Sequence, residues 1–269
     1  MEVAAVRILG VKVSAVNMDV ALAAIEGWVA ERSRHYVCVS GAHGLTESHY
    51  DPELRRIHNE AGMVTPDGMP LVWFSHWMGL RHVERVCGPD LLPETCARSQ
   101  ARGYRHFFYG GGPGVAALLA RRLEERYPGL QITGVYEPPF RPLTPEEDRQ
   151  VVERINAARP DIVWVGLSTP KQERWMAEHR DRIEAPVLIG IGAAFDFHAG
   201  LRKRAPRWMQ RSGLEWAFRL LSEPGRLWRR YLIGHAQFMG LLALQLLAQR
   251  NQILQGFGAE QGPLLRLKQ

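Results

Sequence analysis

The sequence is poor in cysteine, with three cysteines among 269 residues and no pair at C-x-x-C spacing. Disulfide-rich scaffolds and thiolate metal centres need paired cysteines, so this composition excludes both classes. An odd cysteine count without a secretory leader indicates free thiols in a reducing compartment. Arg7, Lys12 and Asp19 interrupt the first 30 residues, which therefore lack the unbroken apolar stretch of a signal peptide. These features predict a cytoplasmic protein.

The chain also lacks a clean apolar run of membrane-spanning length. Residues 231–249 come nearest, but glycine, histidine and glutamine interrupt them. A spanning helix needs about 20 predominantly apolar residues. We therefore expect these residues to form a helix that lies on a membrane or against the domain, and residues 250–269 to form a loose tail.

Acidic residues are scarce at the carboxyl end. Residues 201–269 hold 12 Lys and Arg against 3 Asp and Glu, whereas the first 200 residues hold 22 against 25. Such a segment is either a solvated basic face or a surface for anionic lipid, polyphosphate or nucleic acid. Each basic residue near an anionic membrane contributes about 1 kcal/mol, so residues 202–230 would suffice for peripheral attachment if most faced the bilayer.

Apolar segments of strand and helix length alternate through the first 200 residues. Strands are predicted around Gly10 and over residues 36–40, 63–65, 106–109, 130–136, 161–167 and 186–191. Helices are predicted over residues 20–32, 52–61, 90–102, 115–127, 145–159 and 170–182. This alternation predicts an α/β fold: a Rossmann-like parallel sheet with helices on both faces. We expect a catalytic domain over residues 1–200 and a basic helical appendage over 201–269.

Ligands of parallel sheets bind at the carboxyl ends of the strands, where the loops after residues 40, 65, 109, 167 and 191 would meet. Asp67, in a Pro-Asp-Gly turn, is either a general base or the carboxylate of an Asx turn that caps the next helix. Arg85 could hold a diphosphate, and Asp90 suits either a ligand contact or a helix N-terminus. Asp196 follows another strand at the same edge.

Two further segments at this edge suit phosphate or sugar. Gly110, Gly111 and Gly112 lie between a predicted strand and helix, where backbone N–H groups can bind phosphate or simply form a turn. Their spacing is neither G-x-G-x-x-G nor a P-loop. A helix is predicted to begin at Lys171, Gln172 and Glu173, whose side chains contact either a ligand or solvent. His198 has no second ligand at metal spacing, so no metal site is predicted.

Six motifs in order carry a resemblance: VTPDGMPLVW, ERVCGPDLLP, FFYGGGPGV, GLSTPKQERWM, IGIGAAFDFHAG and RAPRWMQRSGLEWAFRLLSEPGRLWRR. Together they closely resemble the WecG/TagA/CpsF family, glycosyltransferase family 26, over about residues 7–235. The resemblance implies a Rossmann-like fold and an inverting transfer of sugar from a UDP-sugar to a polyprenyl-diphosphate-linked sugar, without metal or other cofactor. It also implies synthesis of surface polysaccharide or teichoic-acid linkers.

The resemblance further assigns roles to residues. Asp67 corresponds to the proposed general base, Lys171, Gln172 and Glu173 lie beside the donor sugar, and Arg85 belongs to the same site. An arginine-rich appendage completes the site and engages the inner membrane surface. The predicted substrate-binding arginines here are Arg202, Arg204, Arg207 and Arg226, and Arg229 and Arg230 of the same segment are further candidates. Trp216 and Trp228 are expected at the membrane interface. Many members carry T-x-N after the strand that here ends in Ser40-Gly41-Ala42-His43. Ser40 can replace the threonine, and His43 can fill the place of the asparagine.

Alternatives from other classes make distinct predictions. A nicotinamide-dependent oxidoreductase needs G-x-G-x-x-G and a suitably placed acid, which the glycine spacing and the late Glu137 do not match. A nucleic-acid-binding protein would use the Arg/Trp segment, but the apolar helix suits a membrane better, so no nucleic-acid partner is expected. A non-catalytic homologue would not need Asp67. Homo-oligomerisation stays open.

Overall fold

The amino-terminal residues form a small antiparallel hairpin. The computed structural model describes residues 3–256, and side chains up to residue 248. Strands β1 (Ala5–Ile8) and β2 (Val11–Ser14) pair antiparallel. Leu9 and Gly10 form the turn between these strands, with φ of 49° and 86°. Glycine adopts the second of these values without strain. The strands predicted around Gly10 are confirmed.

A six-stranded sheet of parallel strands forms the centre of the fold. Its strands in spatial order are β4 (Met63–Pro66), β3 (His35–Ser40), β8 (Val187–Gly190), β7 (Ile162–Gly166), β5 (Arg105–Gly110) and β6 (Gln131–Tyr136). The inner strands are continuous apolar runs because both faces are covered. All carboxyl ends therefore lie at one edge, and the predicted gathering of the loops is confirmed.

Helices cover both faces, as the α/β prediction required. The helices of this part of the chain are α1 (Met18–Glu31), α2 (Ala42–Tyr50), α3 (Pro52–Glu60), α4 (Met69–Trp77), α5 (Gly88–Arg102), α6 (Val115–Arg126), α7 (Pro145–Ala157), α8 (Lys171–His179) and α9 (Ala194–His198). One core contains side chains of α1, α5, α6 and α9, and the other contains side chains of α2, α3, α4, α7 and α8. The Rossmann-like architecture is confirmed.

Helix α2 replaces a loop that the sequence predicted, whereas α4 begins after the predicted Pro-Asp-Gly turn and leaves it in place. Gly41 and Gly44 suggested a loop, yet Gly44 lies inside α2. A Cβ at Gly44 would come within 3.3 Å of the Ser40 hydroxyl, so glycine lets the helix pack closely on the strand end. Here glycine marks close packing rather than a turn.

The carboxyl-terminal segment is helical and begins with short elements. These are α10 (Arg207–Arg211), α11 (Glu215–Ser222), α12 (Pro224–Trp228), a π-helical turn (Arg229–Ile233) and α13 (Gly234–Gly256). By length and composition, the run Pro224–Ala248 is long and apolar enough to cross a membrane. The tail predicted over 250–269 is wrong for residues 250–256, which belong to α13, and residues 257–269 lie outside the described part.

Helix α13 also packs against the domain. Phe238 and Leu242 are buried in the same core as α2 and the hairpin. The Gln245 side chain accepts a hydrogen bond from Leu9 N at 2.8 Å and donates one to Arg7 O at 3.0 Å. These contacts attach α13 to the hairpin, in agreement with a helix against the domain. The division at residue 200 stays a prediction.

Candidate active site

A deep cleft opens at the carboxyl edge of the sheet. Its volume is about 1370 Å³, and its walls come from the loops after β3, β4, β5, β7 and β8 and from helices α11 and α13. Small-molecule sites typically occupy about 300–1,000 Å³. The cleft is therefore large enough for a small-molecule ligand, and the appendage forms one of its walls.

Asp67 lies in this cleft between β4 and α4. Its backbone N–H donates to Ser40 O at 3.1 Å, and its side chain is 36% exposed. The N-cap of α4 is Gly68, and no side chain caps this helix, so the Asx-turn alternative for Asp67 is not observed. Burial raises the pKa of Asp67 to about 6, although Arg85 opposes this shift. A carboxyl group with this pKa is ionised at pH 7 and basic enough to accept a proton.

Arg85 fixes Asp67 and connects it to the appendage. Its Nε donates to the Asp67 backbone carbonyl at 2.8 Å, and its Nη2 lies 3.4 Å from Asp67 Oδ1. The same Nη2 donates to Glu215 Oε2 of α11 at 2.7 Å. Sequence reasoning missed Glu215, since nothing local distinguishes it from another solvated acid. The pair shows that α11 docks directly on the Asp67 site.

Three of the four appendage arginines predicted to bind substrate are paired with carboxylates. Arg204 donates to Asp90 at 2.8 Å, so Asp90 also acts as an internal partner. Arg202 lies 2.9 Å from Asp196 and also contacts Glu223, which takes a further bond from Arg226 at 2.6 Å. Arg207 is exposed and does not line the cleft. The pairs Arg202–Asp196 and Arg204–Asp90 hold the appendage on the domain, whereas the pair Arg226–Glu223 lies within the appendage.

Two other arginines of the appendage line the cleft without a carboxylate partner in the described part of the chain. They are Arg219 and Arg230. The Arg230 Nε is buried without a hydrogen-bond partner, and burial lowers the pKa of this residue. The Arg219 guanidinium lies 5.6 Å from the centre of the Phe197 ring. Arginines left uncompensated in a cleft provide strong donors for an anionic ligand. The sequence analysis missed Arg219 and could not single out Arg230 among the appendage arginines, because ion pairing of the appendage is set by its fold.

His43, Lys171 and Gln172 line the cleft as the sequence analysis expected. Burial lowers the pKa of His43 to about 4, aided by the positive charge of Arg230, so His43 is neutral at pH 7. The Gln172 amide donates to Glu173 Oε1 at 3.2 Å, and its own Oε1 is buried without a partner. Gln172 is thus held beside the cleft with an unused acceptor.

Ser40 and Glu173 do not line the cleft. The Ser40 hydroxyl is buried and lies 2.8 Å from His58 Nε2. Glu173 is fully buried, and its Oε1 accepts a hydrogen bond from Thr169 at 2.9 Å. The structure therefore places both residues behind the wall, where they support neighbouring elements rather than present a group to a ligand.

The glycine loop differs most from its predicted use. Gly111 and Gly112 line the cleft, but Gly110 backs onto β7, where a Cβ would lie 2.6 Å from Gly166 O. The first N–H groups of α6 are already bound: Glu137 accepts from Gly114 N at 2.7 Å and Ala116 N at 2.8 Å. A carboxylate thus occupies the anion site that a helix N-terminus provides. Glu137 therefore occupies the first turn of this helix, while substrate binding by Gly111 and Gly112 in the cleft wall stays a prediction.

The two tryptophans predicted at the membrane interface and the isolated His198 lie in different surroundings. Trp216 lines the cleft, and the centre of its ring lies 5.2 Å from that of His235. Trp228 is 42% exposed, and the place of both tryptophans at a membrane interface stays a prediction. His198 Nε2 contacts Pro89 O at 2.8 Å, which agrees with a structural role. Within residues 3–256, no group of three His, Cys, Asp or Glu side chains is arranged to hold a metal ion.

Known proteins resemble this chain along most of its length. A protein of Bacillus spizizenii strain W23 is 33% identical over 186 residues, covering 69% of this chain and 70% of the relative. One of Bacillus subtilis strain 168 is 32% identical over 225 residues, covering 83% and 76%. One of Staphylococcus aureus strain MW2 is 27% identical over 195 residues, covering 72% of each. All three are named N-acetylglucosaminyldiphosphoundecaprenol N-acetyl-beta-D-mannosaminyltransferase.

The family comparison decides among the functional classes. Residues 6–252 match the description "Glycosyl transferase WecG/TagA/CpsF family". This match includes the six motifs, the cleft and most of the appendage, and it sets aside the oxidoreductase and nucleic-acid alternatives. The chain belongs to the WecG/TagA/CpsF family of glycosyltransferases.

Proposed function

We propose that this glycosyltransferase moves N-acetylmannosamine from a UDP-linked donor to N-acetylglucosamine carried on undecaprenyl diphosphate, with inversion at the donor carbon. The family membership and the names of the three relatives support this choice of sugar and acceptor. The product would enter a teichoic-acid linker or another surface polysaccharide. A hexose donor is the alternative for the sugar.

The observation that carries the proposal is the Asp67 carboxyl group in a cleft that also presents two uncompensated arginines. The acceptor hydroxyl is a weak nucleophile at neutral pH and needs a base. Asp67 would take the hydroxyl proton while the oxygen attacks C1 of the donor sugar. The bond between C1 and the diphosphate oxygen breaks with its electron pair, and UDP leaves from the opposite face. A single displacement of this kind inverts C1.

The departing diphosphate needs positive charge at the moment the bond breaks. Arg219 and Arg230 would supply it, because both line the cleft and neither is paired with a carboxylate in the described structure. Arg85 would orient Asp67 rather than bind the leaving group, since its Nε and Nη2 already donate to Asp67 and Glu215. Lys171 and Gln172 would contact the donor sugar or phosphate. In this scheme the catalytic charge comes from side chains, and the reaction is metal-independent.

We place the enzyme on the cytoplasmic face of the membrane as a peripheral protein. The basic segment and the apolar run Pro224–Ala248 support attachment, and the proposed acceptor is anchored in that membrane. Helix α13 packs on the domain through Phe238 and Leu242, which favours a helix at the interface over one that spans.

The test is a transfer assay with the full chain, UDP-N-acetylmannosamine and a short-chain N-acetylglucosamine diphosphate lipid, with and without EDTA. Asp67→Asn should lower kcat by about 10²–10⁴-fold and leave UDP binding within about threefold. The matched control is Asp19→Asn, an exposed acid on α1, which should react normally. Near-normal turnover by Asp67→Asn would refute the base assignment. Transfer from UDP-glucose alone would refute the choice of sugar, and loss of activity in EDTA would refute metal independence.

A further inference from the structure

Helix α4 presents an exposed surface without charge. Residues 68–80 contain no Asp, Glu, Lys or Arg. Leu71 and Phe74 are buried in the core, while Trp73, Trp77 and Met78 are 52%, 64% and 44% exposed. The outward side of a surface helix normally carries charged residues, and a run of exposed large apolar side chains marks an interaction site.

This surface begins at the active-site cleft. Helix α4 starts just after Asp67, and Trp73 lines the cleft while half of its surface remains exposed. A helix of nine residues is about 13 Å long, so Trp77 lies about that far from the start of α4. The far end of α4 therefore reaches away from the reacting groups toward the outside.

The appendage borders the same surface. A Cβ at Gly213 would lie 3.0 Å from the Trp73 ring, so the connection between α10 and α11 packs on α4. Trp208 of α10 is 64% exposed. The appendage segment 202–230 carries nine Lys and Arg against two Glu. Apolar aromatic side chains thus lie next to a strongly basic segment.

We propose that the exposed face of α4, comprising Trp73, Trp77 and Met78, is a second membrane-contacting surface that seats the mouth of the cleft on an anionic bilayer. Tryptophan is enriched at membrane–water interfaces, and the adjoining basic segment attracts anionic headgroups. The same positive charge would repel a second copy of the chain, which argues against self-association through this face. The inference rests on the proposed function in one respect, the membrane-linked acceptor.

The first experiment places a probe on α4 in the full chain. Met78→Cys introduces a reactive thiol, and the three native cysteines are buried. After labelling with an environment-sensitive dye, vesicles of phosphatidylethanolamine and phosphatidylglycerol should shift its emission to the blue. An unshifted emission while the protein is bound to the vesicles would refute the proposal.

The second experiment measures the partition coefficient on the same vesicles. Trp77→Ser should lower it by about tenfold, the scale expected for losing burial of one large apolar side chain. Tyr50→Ser is the matched control, because Tyr50 is also 64% exposed, and it should stay within about twofold. Equal losses in both variants, or none in Trp77→Ser, would overturn the proposal.

Two readouts distinguish a membrane contact at α4 from a catalytic role and from a contact between copies of the chain. Trp77 does not line the cleft, so Trp77→Ser should retain turnover on a water-soluble short-chain acceptor. If Trp77→Ser instead abolished a dimer in sedimentation velocity and left vesicle binding unchanged, the face would be a contact between copies and the proposal would fail. If the wild-type protein transferred no sugar, the proposed function would fail, while the dye and partition results would still decide the surface.

Discussion

Replacing Arg85 tests the assignment of Asp67 as the base through its pH dependence. The Arg85 Nη2 lies 3.4 Å from Asp67 Oδ1. Two unit charges at that distance interact by about 1.2 kcal/mol in water and about 5 kcal/mol at an effective dielectric constant near 20. These energies correspond to about 0.9 and 3.6 pKa units. Because the Asp67 side chain is 36% exposed, solvent screening favours the lower value, about one unit.

The direction follows from the charges. Arg85 stabilises the ionised form of Asp67, and this opposes the effect of burial, which raises the pKa to about 6. In Arg85→Gln the pKa of Asp67 should therefore rise to about 7 or above, and Glu215, left without its partner, adds to the rise. The base works only when ionised, so the acid limb of kcat/KM should move from near pH 6 to near pH 7.

The assay is kcat/KM from pH 5 to 9 for the wild type, Arg85→Gln and Arg85→Lys. Lysine keeps the positive charge, so its limb should stay near pH 6 even if the rate falls. Activity of Arg85→Gln should recover partly as the pH rises. A limb that stays near pH 6 in Arg85→Gln would show that Asp67 is not the titrating base.

Two further predictions concern the anion site and the glycine loop. Arg230→Gln should weaken UDP binding by about 10–100-fold, the value of a charge-assisted hydrogen bond. Arg229 is the exposed neighbour of Arg230, and Arg229→Gln should bind UDP with normal affinity in calorimetry. Equal affinity in the two variants would contradict the assignment of Arg230. Glu137→Gln should lower Tm by about 2–4 °C, because the first turn of α6 loses its charged cap. The control is Glu124→Gln, an acid on α6 itself, and UDP affinity should be unchanged in both variants. Weaker UDP binding in Glu137→Gln alone would contradict the internal cap.

Apolar periodicity predicted the strands of the sheet and most of the helices around it. These elements bury one or both faces, so their patterns are local. The order of the sheet was not predictable in this way, because β8 lies between β3 and β7 through contacts distant in sequence. Helix α4 has apolar side chains on every side, and without alternation of polar and apolar positions its segment does not show the pattern of a surface helix.

The sequence motifs predicted the position of the site more reliably than they predicted the contacts of its residues. Asp67 and Gln172 come together because each follows a strand at the same edge of the sheet, and Arg85, in the connection from α4 to α5, reaches Asp67 by hydrogen bonds. The choice among the arginines of the appendage could not be made from the sequence, for a physical reason. Arg202 and Arg204 meet Asp196 and Asp90 only when the appendage folds onto the domain, whereas Arg226 pairs with Glu223 within the appendage, and Arg219 and Arg230 have no carboxylate partner in the described structure. No short-range pattern records which arginines remain.

The carboxylate of Glu137 on the first turn of α6 has a thermodynamic consequence. A parallel α/β domain usually offers an anion the dipole of a helix, which is preorganised. Here Glu137 fills that position at α6, and in the proposed scheme an anion in the cleft draws part of its positive charge from Arg219 and Arg230, on a segment that docks onto the domain. Its binding free energy then includes the free energy of docking, and the two equilibria are coupled. Coupling is reciprocal, so a ligand that draws on these arginines must stabilise the docked segment by as much as docking strengthens its own binding.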